Sequence, residues 1–206
     1  SILRGTRVLA VFSPLELRIE GTPALSLAPR SVTVDSVNAV IRPVVPEKRK
    51  LIPDVYRQLT LRFGADWSLV VRVYNDGVAY RYRLSYPGEI TVQEERLTLR
   101  LAPGDSVWFP EETSFLSHSE RLYKFLAVSS IADTQMCCLP AVVATAAGPR
   151  LAITESDLLD YPGLYLKGSA GGQPLLHSVF ARYPAQEEST GDRTVKVTRR
   201  EPYIAR

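Results

Sequence analysis

The segment Val70-Val-Arg-Val-Tyr-Asn75-Asp-Gly-Val-Ala-Tyr-Arg-Tyr-Arg-Leu84 decides the fold class of this chain. Two runs rich in valine and tyrosine flank Asp76-Gly77, and β-branched and aromatic residues of this kind favour strands. Asp-Gly between two such runs indicates a hairpin, because glycine supplies the positive φ that a tight turn needs. The segment therefore predicts a pair of antiparallel strands.

The same period of two recurs along the chain. Apolar and polar side chains alternate in several short runs, as in half-buried strands: Leu15–Ile19, Val32–Val34, Leu59–Phe63, Leu97–Leu101 and Val195–Thr198. Turn pairs separate the runs, among them Glu20-Gly21, Pro87-Gly88, Pro103-Gly104, Gly148-Pro149 and Gly171-Gly172. This pattern predicts an all-β sandwich or barrel with at most one or two short helices.

Two segments depart from the alternation. Residues 117–126 contain Ser119 followed by Glu-Arg-Leu-Tyr-Lys-Phe-Leu, which fits a short helix with a serine cap. Gln186–Asp192 is polar and charged, and is predicted to be a surface loop.

Length and composition indicate one globular domain over residues 1–206 of the 206-residue chain. The composition, 45% hydrophobic and 23% charged, is ordinary for such a domain. The net charge of +3 is spread along the chain, which argues against nucleic-acid binding. The sequence has no run of eighteen apolar residues, so no membrane-spanning helix is predicted. Because the single methionine is Met136, we expect the chain to be an excised domain or a processed fragment.

Few residues offer nucleophilic or transition-metal chemistry. The two histidines, His118 and His177, lie in no nucleophile pattern and are expected to be structural. Cys137 and Cys138 are adjacent, which suits neither an ordinary disulfide nor a zinc motif, so we expect buried filler for one of them.

Carboxylates are the stronger signal. The stretch Ile153–Leu166 places Glu155, Asp157 and Asp160 within six positions of an otherwise apolar run. Carboxylates bind hard cations such as calcium and accept hydrogen bonds from sugar hydroxyls. The stretch thus indicates a cation or carbohydrate site, and the alternative is a solvated turn built on Asp160 and Pro162-Gly163.

A second candidate is Trp108-Phe-Pro-Glu-Glu112. Aromatic rings stack on sugar faces and carboxylates accept sugar hydroxyls, so Trp108 is a candidate sugar contact. The alternative for Trp108 is an aromatic residue of the core or its rim.

Several motifs together resemble the N-terminal part of glycoside hydrolase family 97. Arg72–Tyr82 is similar to the family segment R-x-Y-D-D-G-V-A-F-R-Y. The remaining matches follow in the family's order: Val45–Lys50 with Tyr56–Thr60 for G-E-K-S…Y-N-E-L, Trp108–Pro110 with Ser119, Glu120 and Tyr123 for W-x-P…S-x-E-x-x-Y, Ala152–Gly163 for h-E-A-x-L-x-D-Y-x-G, and Arg199–Ala205 for the run before the barrel. Arg57 and Gln58 stand where that family has asparagine and glutamate, and Ser156 replaces an alanine.

The resemblance implies an antiparallel β-super-sandwich of the galactose-mutarotase type, lacking its first strand and followed by a (β/α)8 catalytic barrel. It implies an α-glycosidase of the α-glucosidase or α-galactosidase type, acting on α-linked oligosaccharides or glycosides in the periplasm or outside the cell. By the same match Glu155 is a calcium ligand, and Trp108 and Glu120 are substrate-binding residues. The catalytic residues lie on the barrel, so the isolated domain is expected to be inactive and to bind calcium weakly.

Two other functions remain open at this point. A free-standing carbohydrate-binding sandwich would bind sugar through exposed aromatic residues such as Trp67 or Trp108. A sugar mutarotase would use a similar sandwich with a histidine pair and a glutamate, and here only His118 and His177 could form the pair. The sequence leaves open the roles of Asp157 and Asp160, the preferred sugar, and inversion or retention.

Overall fold

The computed structural model describes residues 1–22, 28–45, 48–64 and 66–206, and these residues form an all-β protein with antiparallel pairing. Helical structure in them is limited to two 3-10 turns of three residues, Val128–Ser130 and Ala170–Gly172. The predicted fold class is thereby confirmed. Residues 46 and 47 of the motif at Val45–Lys50 lie outside the described residues. Across the described ranges, no helix is long and apolar enough to cross a membrane.

The described residues contain seventeen strands, in chain order β1 (Ile2–Arg4), β2 (Arg7–Ile19), β3 (Ser31–Ile41), β4 (Ile52–Arg62), β5 (Trp67–Val73), β6 (Val78–Leu84), β7 (Val92–Arg100), β8 (Ser106–Phe109), β9 (Glu111–Glu112), β10 (Lys124–Ala127), β11 (Met136–Cys137), β12 (Ala141–Ala144), β13 (Arg150–Ile153), β14 (Leu164–Lys167), β15 (Leu175–Phe180), β16 (Pro184–Gly191) and β17 (Thr194–Arg200). They belong to two compact units, the first Ser1–Pro23 with Ile90–Arg206 and the second Ala24–Glu89. That the chain is one domain stays a prediction.

The first unit contains three sheets. The largest has the order β1-β2-β7-β15-β14-β11-β9, a four-stranded sheet has the order β10-β8-β12-β13, and β16 pairs with β17. One face of each of the two larger sheets is buried, and its fully buried side chains are large and apolar: Leu99, Leu166, Leu176, Val107, Phe109 and Val143. Strict alternation puts these residues on one face of their strands and leaves the other face for polar and functional groups.

The second unit is a four-stranded meander with the order β3-β4-β5-β6. The predicted hairpin is its last pair, in which Val73 pairs with Val78. The predicted turn chemistry is wrong, because Gly77 does not have a positive φ. The connection has four residues, and the Tyr74 amide donates to the Gly77 carbonyl at 2.8 Å. A four-residue connection of this kind reverses the chain without placing glycine in the left-handed region.

The short helix predicted over residues 117–126 is wrong. Residues up to Tyr123 are irregular, and Lys124–Ala127 is strand β10. Phe125 lies opposite Trp108 of β8, with the two ring centroids 4.8 Å apart. Pairing with a neighbouring strand and its aromatic residue outweighs the local helix signal.

The surface loop predicted over Gln186–Asp192 is also wrong, because most of it belongs to β16. Glu187 pairs with Val197 and Glu188 with Lys196 in a two-stranded ribbon with β17. The ribbon is exposed along most of its length, so polar side chains suit it without any apolar alternation. Arg193, at φ 58°, takes part in the turn.

Candidate functional site

The loop of residues 154–163 carries the predicted metal ligand and leads from β13 of the four-stranded sheet to β14 of the seven-stranded sheet. Its far end is anchored by Tyr161. The Tyr161 hydroxyl donates to Glu95 Oε2 at 2.8 Å, and the ring meets Phe180 edge to face at 6.0 Å. Glu95 and Phe180 lie on β7 and β15, so the loop is attached to the central strands of the larger sheet.

Glu155 lies at the near end of this loop and is half-buried. The backbone N–H of Leu164, the first residue of β14, donates to both carboxylate oxygens, at 3.0 Å to Oε1 and 2.9 Å to Oε2. A Cβ at Gly163 would lie 3.3 Å from Oε1, so glycine there leaves room for the carboxylate. The side chain therefore holds a defined position, and no basic side chain of the described ranges forms an ion pair with it.

Electrostatics separate Glu155 from Glu94, Glu111 and Glu112, whose pKa values are lowered and which have basic partners. Burial raises the pKa of Glu155, and the hydrogen bond from the Leu164 amide only partly opposes this effect. A carboxylate in this state gains from a nearby cation, which would favour its charged form and supply the missing opposite charge.

Asp157 and Asp160 have a different role in the structure. Both are exposed and have positive φ angles, 61° and 51°, and the Leu159 amide donates to the Asp157 carbonyl at 3.0 Å. Aspartate tolerates the left-handed region better than most residues, because its short side chain can bond the local backbone. The two aspartates therefore shape the loop that presents Glu155.

Calcium suits the donor that Glu155 offers, since a carboxylate is the ligand type this cation prefers and each oxygen accepts more than one contact. In the described ranges, no group of three or more His, Cys, Asp or Glu residues is arranged to hold a metal ion. Calcium takes about 6–8 oxygen ligands. Glu155 therefore fits the part of one contributed ligand and not that of a complete site.

Trp108 lies in the middle of the four-stranded sheet and is half-buried. Its ring packs against Phe125 at an interplanar angle of 46°, and the Arg150 guanidinium lies 5.3 Å from the ring centroid. Val142 is its partner on β12. These neighbours occupy much of the ring, so a sugar contact would use the remaining edge or require Arg150 to move; the predicted role of Trp108 stays a prediction.

Glu120 is exposed in the irregular segment of residues 113–123, between β9 and β10. The segment contacts β14, the strand whose Leu164 amide binds the Glu155 carboxylate. Phe115 meets Tyr165 of β14 edge to face at 5.0 Å, next to Leu164, whose amide binds Glu155. The two predicted site segments therefore share one anchoring strand, and the predicted role of Glu120 stays a prediction.

Sequence reasoning missed the Leu164 amide and the ion pair of Glu112 with Arg121. A backbone amide leaves no mark in a sequence. For the ion pair the sequence carries a weak signal, the adjacent glutamates Glu111 and Glu112. Adjacent strand residues face opposite sides, so the two cannot both point to solvent from a packed sheet.

Of the remaining candidates, Trp67 and His177 have structural partners. Trp67 stacks on Phe63 with ring centroids 4.2 Å apart. His177 Nδ1 lies 3.0 Å from Thr98 Oγ1, and burial with the nearby Lys167 charge lowers its pKa, while His118 is exposed. Both cysteines are free and buried, and burial raises the pKa of Cys137 to about 12, which confirms the expected filler role.

Two comparisons with known proteins bear on these features. Residues 2–205 match the protein family described as "Glycosyl-hydrolase 97 N-terminal". A protein of Bacteroides thetaiotaomicron named "Retaining alpha-galactosidase" is 33% identical over 162 residues. The aligned part is 73% of this chain and 24% of that relative, so the chain spans about a quarter of the relative's length.

Proposed function

Because the chain belongs to the glycosyl-hydrolase 97 N-terminal family, we propose that it acts as the N-terminal domain of an α-glycosidase. In this proposal it supports a downstream (β/α)8 catalytic barrel and contributes one glutamate to the calcium site of that barrel. The observation that carries the proposal is the family match over residues 2–205.

The proposed substrate class is α-galactosides, with retention of configuration, as the name of the 33% identical relative suggests. Retaining hydrolysis needs a nucleophile and an acid/base, two carboxyl groups about 5–5.5 Å apart. The family resemblance places both of these carboxyl groups on the barrel, so we assign the reacting carboxylates to the barrel and keep Glu155 as a ligand.

Three residues in or next to the Glu155 loop have a part in this function. The Leu164 amide orients the carboxylate, Gly163 leaves space for it, and Tyr161 fixes the loop to the seven-stranded sheet. A bound calcium ion would polarise the glycoside or orient a catalytic carboxylate. Half-burial limits the water that competes for the Glu155 oxygens.

The test is the substitution Glu155→Gln in the natural full-length protein, which keeps the shape of the side chain and removes its charge. We expect kcat/KM for a chromogenic α-galactoside to fall by at least ~10-fold. After chelation, the calcium concentration needed to restore activity should rise by at least ~10-fold. Asp157→Asn is the matched control, since it removes an exposed carboxylate from the same loop. Equal losses in the two variants, or activity unaffected by chelation, would contradict the role of Glu155.

Substrate class and stereochemistry are tested separately. The wild-type protein should hydrolyse an α-galactoside faster than the matching α-glucoside, and proton NMR of the first product should show the α-anomer. Faster hydrolysis of the glucoside would instead indicate an α-glucosidase. A first product in the β-anomeric form would show inversion of configuration.

We also propose a periplasmic or secreted location, as the family resemblance implies. The test is to separate the source cells into fractions and to detect the protein in each fraction with an antibody. Recovery of the protein from the cytoplasmic fraction would contradict it.

A further inference from the structure

A buried carboxylate lies next to the segment that carries Glu120. Glu112 is on β9, an edge strand of the seven-stranded sheet, and its side chain is 0% exposed. Its Oε2 accepts a hydrogen bond from Arg121 Nε at 2.9 Å. Its Oε1 is also buried and has no hydrogen-bond partner among the described residues.

Stability alone does not account for this arrangement. Removing a carboxylate from water is costly, and a buried ion pair offsets the cost only when the remaining oxygen lone pairs are also satisfied. Oε1 of Glu112 accepts no well-formed hydrogen bond, although the Ser117 hydroxyl also favours the charged carboxylate. An apolar residue at this position would avoid the desolvation cost. A buried ion pair of this kind does, however, favour a single position of the Arg121 side chain.

Arg121 also forms a hydrogen bond within the segment of residues 113–123. Arg121 Nη2 donates to Ser117 Oγ at 3.4 Å, and the same hydroxyl oxygen accepts the Ser119 amide at 3.0 Å. Ser119 has a φ of 55°, which is uncommon for serine and needs support from its surroundings. Glu120 lies between Ser119 and Arg121, so both of its flanking residues are restrained through Glu112.

The same segment has two further attachments. Phe115 packs edge to face on Tyr165, and the Tyr123 hydroxyl donates to the Pro140 carbonyl at 3.1 Å. Neither attachment restrains residues 117–121 directly. Among the contacts of the described residues, those of Glu112 with Arg121 and with the Ser117 hydroxyl tie residues 117–121 to β9.

We infer that Glu112 is a positioning residue: through Arg121 and Ser117 it holds residues 117–121, and with them Glu120, in the conformation that meets the α-glycoside. The inference rests on the proposed function, in which Glu120 contacts substrate. Glu112 itself is buried, and it acts on the segment through Arg121 and the Ser117 hydroxyl.

The first measurement is hydrogen–deuterium exchange of the natural full-length protein and of its Glu112→Gln variant. We expect peptides covering 113–123 to exchange roughly tenfold faster in the variant, because a charge-assisted hydrogen bond is lost. Peptides from β7 and β15 should be unchanged, which shows that the fold persists. Arg121→Gln, made at an exposed residue, should reproduce the effect. Unchanged exchange of 113–123 in both variants overturns the inference.

Glu111→Gln is the matched control. Glu111 is the neighbour of Glu112 on β9 and has its own partners, Lys124 and Gln135, outside residues 113–123. Because Lys124 belongs to β10, which is held by its ladder with β8, loss of the Glu111 charge should leave exchange of 117–121 unchanged. Equal acceleration in Glu111→Gln and Glu112→Gln would show a general weakening of β9 and overturn the inference.

The second measurement is hydrolysis of an α-galactoside. Glu112→Gln should lower kcat/KM by roughly tenfold or more, since a small misplacement of a substrate contact is costly. A double variant Glu112→Gln/Glu120→Gln should be no slower than Glu120→Gln alone, because both changes remove the same contact. Losses that multiply in the double variant overturn the positioning role.

The two measurements separate this inference from the proposed function. If Glu120→Gln keeps full activity, Glu120 is not a substrate contact and that part of the proposed function fails. Exchange of residues 113–123 still decides whether Glu112 holds the segment.

Discussion

Gly163 illustrates, at the scale of single residues, how a small side chain serves its neighbour. Its φ lies outside the left-handed region, so alanine is sterically allowed for the backbone. What alanine would disturb is Glu155, whose Oε1 would lie 3.3 Å from the new Cβ. The contact is with the end of a flexible side chain, which moves at little cost.

We predict that Gly163→Ala changes the free energy of unfolding by less than ~1 kcal/mol but displaces the Glu155 carboxylate. NMR should show a shift of the Leu164 amide resonance, because that amide binds both oxygens of Glu155. Gly64→Ala is the control, since its nearest neighbour atom would be 3.8 Å away. An unchanged Leu164 resonance would mean that the carboxylate does not meet the new methyl group.

A second prediction at this scale concerns the pH dependence of Glu112. Burial raises its pKa, but the Ser117 hydroxyl and the Arg121 guanidinium outweigh burial and hold the pKa below its usual value. Among the described residues, the other ionisable group that acts on it is the Cys138 thiol, whose pKa burial raises, so this thiol stays neutral. A lowered carboxyl pKa stabilises the fold above the unfolded-state pKa, and this contribution is lost as the pH falls through the lowered value.

The free energy of unfolding of the wild-type chain should therefore exceed that of Glu112→Gln at neutral pH, and the difference should shrink below the unfolded-state pKa of about 4.3. Urea unfolding of both proteins between about pH 7 and pH 3 measures the difference. A difference that is constant or grows on acidification would show that Glu112 is not held in its charged form.

At the scale of elements, β14 joins the core to the site. Leu166 is fully buried, Leu164 binds Glu155 through its amide, and Tyr165 receives Phe115. Alternation explains why the side chains of Leu166 and Tyr165 face opposite sides of the strand. The Leu164 N–H points instead along the hydrogen-bonding direction of the sheet, where it binds Glu155. A four-residue strand thus couples packing on one face to both site segments.

We predict that Leu166→Ala lowers the free energy of unfolding by about 2–5 kcal/mol, through lost burial and the cavity left behind. Urea unfolding of the chain measures this, with Leu159→Ala as control. Leu159 is 76% exposed, so its substitution should stay within about 0.5 kcal/mol of the wild type. Similar losses in the two variants would mean that β14 does not pack as described.

The strand elements also show which local signals decide a structure. Alternation in Leu97–Leu101 predicted β7 correctly, because Leu97 and Leu99 are buried on one strand face while the other face is not. Val195–Thr198 also lies in a strand, β17, although that strand is exposed along most of its length. The helix signal over 117–126 failed because Phe125 pairs with Trp108 on β8. Neighbouring strands from elsewhere in the chain are absent from any local window of sequence.

At the scale of the whole molecule, the chain offers one glutamate of the proposed calcium site and, by the proposal, none of the reacting carboxylates. In the described ranges no group of three or more His, Cys, Asp or Glu residues could hold a metal ion. Calcium binding by a single carboxylate is weak, because the cation needs several oxygen ligands to replace its water.

We therefore predict that the 206-residue chain alone has no measurable α-galactosidase turnover and binds calcium at least ~100-fold more weakly than the natural full-length protein. Isothermal titration calorimetry and a chromogenic assay on both proteins measure these differences. Turnover by the chain alone would contradict the assignment of the catalytic carboxylates to the barrel. Mutarotation by the chain alone would instead favour the mutarotase alternative.

The sequence by itself determined the β-class of the chain, seven of its seventeen described strands and its family. Those properties follow from local alternation and from motifs such as Arg72–Tyr82 that stay readable without neighbours. Only the tertiary structure decided that Asp157 and Asp160 shape a loop, that the Leu164 amide holds Glu155, and that Glu112 is buried against Arg121. These features depend on contacts between residues distant in sequence and on which strand face is covered, and chain folding sets both.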